Sequence, residues 1–129
     1  MVAGRYEMVA SNNYGEFLKA IGVDMMLRNL AEKFRPTVEI TEDGERMTLQ
    51  TLTALKNIRL DFTLGQTFDE EILDGRRARS VITQESNQLL QVSEIDNERW
   101  SVDRTFSDGS MKEVLQSKGV VATRVYQKL

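Results

Sequence analysis

Apolar and polar positions alternate in short runs along most of the chain. In residues 56–63, Ile58, Leu60 and Phe62 share one side of a period-two pattern with polar residues on the other, which predicts a strand with one buried face. The runs 79–83 and 120–126 are rich in β-branched residues, which pack well on a pleated surface. Turn signals bound these runs: Asp-Gly at 43–44, 74–75 and 108–109, the polar pairs Ser86-Asn87 and Asp96-Asn97, and Lys118-Gly119. From Gly75 onward the second turn residues stand at 75, 87, 97, 109 and 119, so the spacings are 12, 10, 12 and 10. That rhythm predicts an antiparallel meander closed as a sandwich or barrel. Residues 13–35 break it. Phe17, Leu18 and Ile21 lie at helical spacing before Gly22, a C-terminal stop, and Asp24 can cap a second helix carrying Leu27, Leu30, Ala31 and Phe34. Pro36, the only proline, closes the segment. The pattern therefore predicts one strand, two short helices joined by a tight turn, and about nine further strands: an all-β barrel with a helical lid over residues 13–35.

Three polar side chains fall on faces that the pattern marks as apolar. In 99–106, Trp100, Val102 and Phe106 share a face with Arg104, while Ser101, Asp103 and Thr105 take the other. Arg124 and Tyr126 share a face with Val120 and Ala122, although Val121 and Val125 make the opposite face apolar too. An arginine buried without an anion costs several kcal/mol, so an inward guanidinium calls for a carboxylate from protein or ligand. Either each arginine snorkels to a barrel rim or pairs with an internal acid, or the two arginines and the phenol form a site for the carboxylate of a small enclosed ligand.

Composition narrows the chemistry. The chain has 129 residues, 40% hydrophobic and 29% charged, enough for one globular domain over 1–129 with a sizeable core. It has no cysteine and no histidine, which removes disulfides, thiolate and Ser-His nucleophile systems and the usual zinc sites. No cofactor or metal is expected. A net charge of −3 and a pI near 5.1 disfavour nucleic acid as a partner. Residues 1–7 lack the apolar run of a secretory signal, and with no cysteine to protect the chain fits a cytoplasmic location, with nuclear entry open.

The residues that carry the anion-site argument also carry a resemblance. Thr123-Arg124-Val125-Tyr126, Arg104 twenty positions earlier, Gly4-x-Tyr6 with Asn13-Tyr14, and Leu64-Gly65-Gln66-x-Phe68-Asp69-Glu70 with Asp74-Gly75-Arg76 resemble the intracellular lipid-binding proteins. That family includes the fatty acid-binding and cellular retinoid-binding proteins, and the match is closest to an invertebrate fatty acid-binding member. It runs over essentially the whole chain with the motifs in order. The resemblance implies a ten-stranded antiparallel up-and-down β-barrel, or β-clam, with a helix-turn-helix lid between strands 1 and 2. It implies that Arg104, Arg124 and Tyr126 bind a ligand carboxylate, Arg104 directly or through water. Tyr14 matches a ligand-contacting aromatic of the first helix, and Leu55 an apolar gate at the portal. Thr51, Thr53 and Arg76 match positions that line the cavity or hold its water. Leu115 shares the cavity-facing parity of its strand with Met111.

Three residues depart from the family pattern: Gly15 replaces an acidic residue, Tyr6 a tryptophan, and Glu113 an apolar cavity residue. By parity Glu113 either points inward, where it could pair with Arg104 or Arg124 and compete with a ligand, or is turned to solvent by a bulge or a rim position. The function implied is reversible binding and intracellular transport of long-chain fatty acids by a monomer, with a retinoid or other hydrophobic carboxylate as the alternative ligand. Lys19, Arg28, Lys33 and Arg35 make the lid basic; they either touch membranes transiently or form a solvated face balanced by Glu16, Asp24 and Glu32. The six methionines, Met25 and Met26 among them, read as core filler. Catalysis is not expected, because adjacent strand residues point to opposite faces, so Glu70 does not converge with Asp69 or Glu71. A third reading is a small interaction domain that delivers cargo to a receptor.

Overall fold

A computed structural model describes residues 2–129. The first strand, β1 (Gly4–Asn12), leads into helices α1 (Tyr14–Ala20) and α2 (Met25–Ala31). Nine strands follow: β2 (Thr37–Asp43), β3 (Arg46–Leu52), β4 (Ile58–Thr63), β5 (Phe68–Glu71), β6 (Arg77–Glu85), β7 (Gln88–Ile95), β8 (Glu98–Ser107), β9 (Ser110–Ser117) and β10 (Val120–Lys128). They form one antiparallel sheet in the order β4-β3-β2-β1-β10-β9-β8-β7-β6-β5, curled into a nearly closed barrel. The ten strands and the lid between β1 and β2 agree with the pattern in the sequence. The hairpin turns at 86–87, 96–97, 108–109 and 118–119 fall on the expected pairs, whereas the β2–β3 turn centres on Gly44-Glu45, one residue beyond Asp43-Gly44, because Asp43 still pairs with Arg46. At Asp108-Gly109 and Lys118-Gly119 both central residues have positive φ, the geometry whose twist matches that of the flanking strands.

The barrel has one seam, between β4 and β5. Backbone bonds flank it, from Leu64 N–H to the Glu45 carbonyl and from Gly65 N–H to the Ile82 carbonyl. Aromatic packing closes it, with Phe62 and Phe68 stacked at 5.2 Å. On the opposite side a bulge between Met8 and Ala10 in β1 turns Val9 to solvent.

The lid is built by local signals. Gly22 has φ +91°, its N–H bonds the Lys19 carbonyl, and Val23 N–H reaches back to the Leu18 carbonyl, the paired bonds that end a helix through a left-handed glycine. Leu18 and Val23 are both buried beneath the turn. Asp24 then caps α2 by accepting from Leu27 N–H at 3.0 Å. Of the α2 residues only Ala31 is fully buried. Met25 and Met26, read from the sequence as core filler, are instead 64% and 77% exposed. The reason is that α2 lies across the barrel mouth rather than inside it, whereas Met8, Met47 and Met111 do fill the core.

The interior holds two apolar clusters. A base cluster gathers Tyr6, Val38, Leu49, Leu60, Phe62, Ile82, Leu89, Phe106 and Met111. A lid cluster joins Phe17, Leu18, Ile21 and Val23 to Ile72, Ala78, Trp100, Val102, Leu115 and Ala122. Ile82 is fully buried in the base, so Ile82→Ala should lower unfolding free energy by about 2–5 kcal/mol in urea titration. Val121→Ala on the exposed face should stay within about 0.5 kcal/mol.

Candidate functional site

A polar belt separates the two clusters. On each of six neighbouring strands, β5 to β10, the inward side chains run from the base cluster through a polar residue to the lid cluster. The sequences are Phe68-Glu70-Ile72, Ile82-Ser80-Ala78, Phe106-Arg104-Val102, Met111-Glu113-Leu115 and Tyr126-Arg124-Ala122, with Leu89, Gln91, Ser93 and Ile95 on β7. Glu70, Ser80, Gln91, Ser93, Arg104, Glu113 and Arg124 are all buried.

Most of the belt is one hydrogen-bonded chain. Arg104 Nε lies 3.1 Å from Glu113 Oε2, and Arg104 Nη1 donates to Gln91 Oε1 at 2.8 Å. Gln91 Nε2 donates to Glu70 Oε2 at 2.8 Å and to Ser93 Oγ at 3.0 Å, and Ser80 Oγ donates to Glu70 Oε2 at 2.6 Å. Burial pushes the Glu70 carboxyl up from its ordinary value, while the bond from Ser80, the charge of Arg104 and the bond from Ser93 pull it back down.

Arg124 stands outside this chain. Its Nε is buried and has no hydrogen-bond partner among the described residues. Its guanidinium lies 3.9 Å from the centre of the Tyr14 ring, a cation–π contact that leaves in-plane N–H groups free. Tyr126, two residues on, is 1% exposed, and burial, then the negative field of Glu113, holds its hydroxyl well above the ordinary value of 10.0. Burial likewise raises Tyr14, against the opposing field of Arg124. The Tyr126 phenol therefore stays protonated and can donate. The arrangement sets a buried guanidinium with an unpartnered Nε beside a neutral phenol, donors of the kind that a carboxylate accepts.

Two hollows reach this point. One of about 130 Å³ lies between the clusters, touching Tyr14, Trp100, Leu115, Arg104, Glu113, Arg124 and Tyr126. A second of about 40 Å³ lies beneath α2 and touches Phe34, Thr53 and Leu55. Tyr14, Thr51, Ile58, Leu73 and Arg124 line both, so the two adjoin with the guanidinium in the wall they share.

The structure thus gathers Arg104, Arg124, Tyr126, Tyr14, Thr51 and Leu115 around one interior, with Leu55 at its mouth. Thr53 also shapes the β3–β4 turn, its hydroxyl donating to the Lys56 carbonyl and accepting from Leu55 and Lys56 N–H. Arg76 lines neither of these hollows. Its Nη2 donates to the Ile21 carbonyl at 2.7 Å and its Nε pairs with Asp74 at 2.8 Å, so it straps the end of α1 to the β5–β6 turn. Glu113 points inward, which resolves the two orientations open from parity. Sequence reasoning missed Glu70, Ser80, Gln91 and Ser93; for Glu70 and Ser80 the signal was a polar residue flanked two positions away on either side by apolar ones, while on β7 Gln91 and Ser93 stand together between Leu89 and Ile95. Among the described residues no cluster of carboxylates could hold a metal ion, and no helix is long and apolar enough to cross a membrane.

The raised Glu70 pKa fixes a sign. Folding binds the proton of Glu70 more tightly than the unfolded chain does, so ionised Glu70 costs stability as pH rises past its unfolded value of 4.5. Urea titrations of Glu70→Gln and wild type should therefore diverge in favour of the variant as pH rises above 4.5. A constant difference contradicts burial as the dominant influence on this group.

Comparison with known proteins agrees with this architecture. The family model described as lipocalin / cytosolic fatty-acid binding protein family matches residues 3–129. The chain is 36% identical over 126 residues to a fatty acid-binding protein of Tyrophagus putrescentiae, covering 97% of this chain and 95% of that one. It is 32% identical over 126 residues to fatty acid-binding protein 9 of Homo sapiens, covering 98% and 96%. A Schistosoma mansoni fatty acid-binding protein solved in complex with arachidonic acid superposes with a TM-score of 0.94 at 30% identity, covering 98% of this chain and 95% of that one. With the family's pattern matched over nearly its full length and its barrel reproduced strand for strand, the chain belongs to the lipocalin / cytosolic fatty-acid binding protein family.

Proposed function

We propose that this protein binds long-chain fatty acids reversibly in the barrel interior and carries them, with Arg124 and Tyr126 holding the carboxylate and the tail lying in the hollows toward the lid. The observation that carries this reading is Arg124, buried at 5% exposure with its Nε unpartnered, in the wall shared by the two interior hollows. The fatty acid-binding relatives support the ligand class. Arg104, two strands away on β8, is engaged by Glu113 and Gln91, so it is not left free to contact the head.

Magnitudes divide the work between tail and head. Burying an acyl chain is worth about 0.8 kcal/mol per CH₂, so a sixteen-carbon tail offers about 12 kcal/mol before ordering costs. The guanidinium gains less, because both charges lose water, and it serves mainly to select and orient the head. A cavity of about 130 Å³ is smaller than the roughly 300–1,000 Å³ of a typical ligand site, so entry requires the walls to part. The part of the mouth with least buried surface is α2, which makes it the moving piece. The reading is carriage rather than catalysis: Glu70 faces inward while its neighbours Asp69 and Glu71 face solvent, so Glu70 converges with neither.

Replacing Arg124 by Gln together with Tyr126 by Phe should weaken a sixteen-carbon acid by roughly thirtyfold or more in a displacement titration, and weaken the matching alcohol far less. Equal losses for acid and alcohol contradict the assignment of the anion site.

A further inference from the structure

Glu113 stands opposite two arginines at once. On β9 it is the direct cross-strand partner of Arg104 on β8 and of Arg124 on β10. It is 6% exposed and bonded to Arg104, whose other contact is the Gln91 carbonyl oxygen. Arg124 is left with an unpartnered Nε on the Tyr14 ring. The interior therefore already contains a carboxylate within one strand of the only buried guanidinium with an unpartnered Nε among the described residues. Directly opposed side chains have Cβ atoms about 4.5–5.5 Å apart, so a ligand carboxylate at Arg124 meets a like charge at close range in a medium that screens it poorly. A hydroxyl head meets no such repulsion and can both donate to Glu113 and accept from Arg124.

We propose that Glu113 is a specificity-determining residue that occupies Arg104 in place of a ligand and lowers the preference of the cavity for carboxylates, so that neutral, hydroxyl-headed long-chain lipids are bound alongside fatty acids. The inference rests on the reading of the barrel as a fatty acid carrier with Arg124 as its anion contact. Without Glu113 the two arginines would present two positive charges to a single head group. With it, the second charge is already neutralised from within the chain.

The test compares hexadecanoic acid with hexadecanol in wild type, Glu113→Gln and Arg124→Gln. In wild type the two affinities should lie within about tenfold of each other. In Glu113→Gln the acid should gain about tenfold or more while the alcohol changes by less than about threefold. An unchanged acid-to-alcohol ratio in Glu113→Gln, with Arg124→Gln still weakening the acid, overturns the role of Glu113 and leaves the carrier reading standing. Failure of wild type to bind either lipid, or indifference of acid binding to Arg124→Gln, overturns both. Should Glu113→Gln fail to fold, the arginine Nε–H resonances of the wild-type protein decide. Addition of hexadecanoic acid should move the Arg124 signal and leave that of Arg104, held by Glu113, in place. Equal movement of both signals overturns the proposal.

Discussion

A guanidinium inside a barrel costs several kcal/mol unless it is compensated, and the compensation of Arg104 organises a belt across the interior. Glu113 supplies the counter-charge from the next strand, and Gln91, Ser93, Ser80 and Glu70 continue the hydrogen bonding across β7, β6 and β5. Breaking a buried pair of this kind by removing one member leaves an uncompensated charge, which costs more than the intact pair contributes. The belt also fixes register. A one-residue slip of β8 or β9 would turn Arg104 or Glu113 to solvent and expose the apolar residues of both clusters.

What the belt leaves over is Arg124. Arg124 belongs to the same inward layer yet is not part of the hydrogen-bonded chain, and it lies against Tyr14 in the wall shared by the two hollows. Under the proposed reading, affinity and selectivity come from different places: apolar walls bind the tail, and one guanidinium with one phenol orients the head. The lid divides in the same way. α1 is fastened to the barrel by Arg76 at the Ile21 carbonyl and by Asn13 Nδ2 donating to the Val121 carbonyl. α2 buries only Ala31 fully and leaves Met25, Met26 and Leu30 in water. A chain without cysteine or histidine suits this work, which requires no nucleophile, general base or thiolate.

The legible part of the sequence was whatever repeats or breaks a local rule. Strands declared themselves through period-two runs such as Ile58-Leu60-Phe62, and turns through Asp-Gly and Lys-Gly pairs whose positive φ the structure confirms. Arg104 and Arg124 stood out because a cation on an apolar face breaks the strand pattern. Gln91, Ser80 and Ser93 did not, since uncharged polar residues interrupt strand faces without much cost when they find partners, and their partners come from other strands. The orientation of Glu113 was beyond parity alone, because a bulge would reverse it; β1 shows such a bulge at Met8 and Ala10, while β9 pairs without a break. The exposure of Met25 and Met26 and the strap made by Arg76 depend on how the lid sits on the barrel. Helical spacing in residues 13–35 carries no information on that placement.

The claim on which the account turns is that a fatty acid lies inside the barrel with its head at Arg124. An isotope-edited nuclear Overhauser experiment on the wild-type protein with hexadecanoic acid labelled at the second carbon measures this directly. The account predicts contacts from that methylene to the ring protons of Tyr126 and Tyr14. Contacts to Leu55 and Phe34 at the mouth instead, or no bound signal at all, would contradict it.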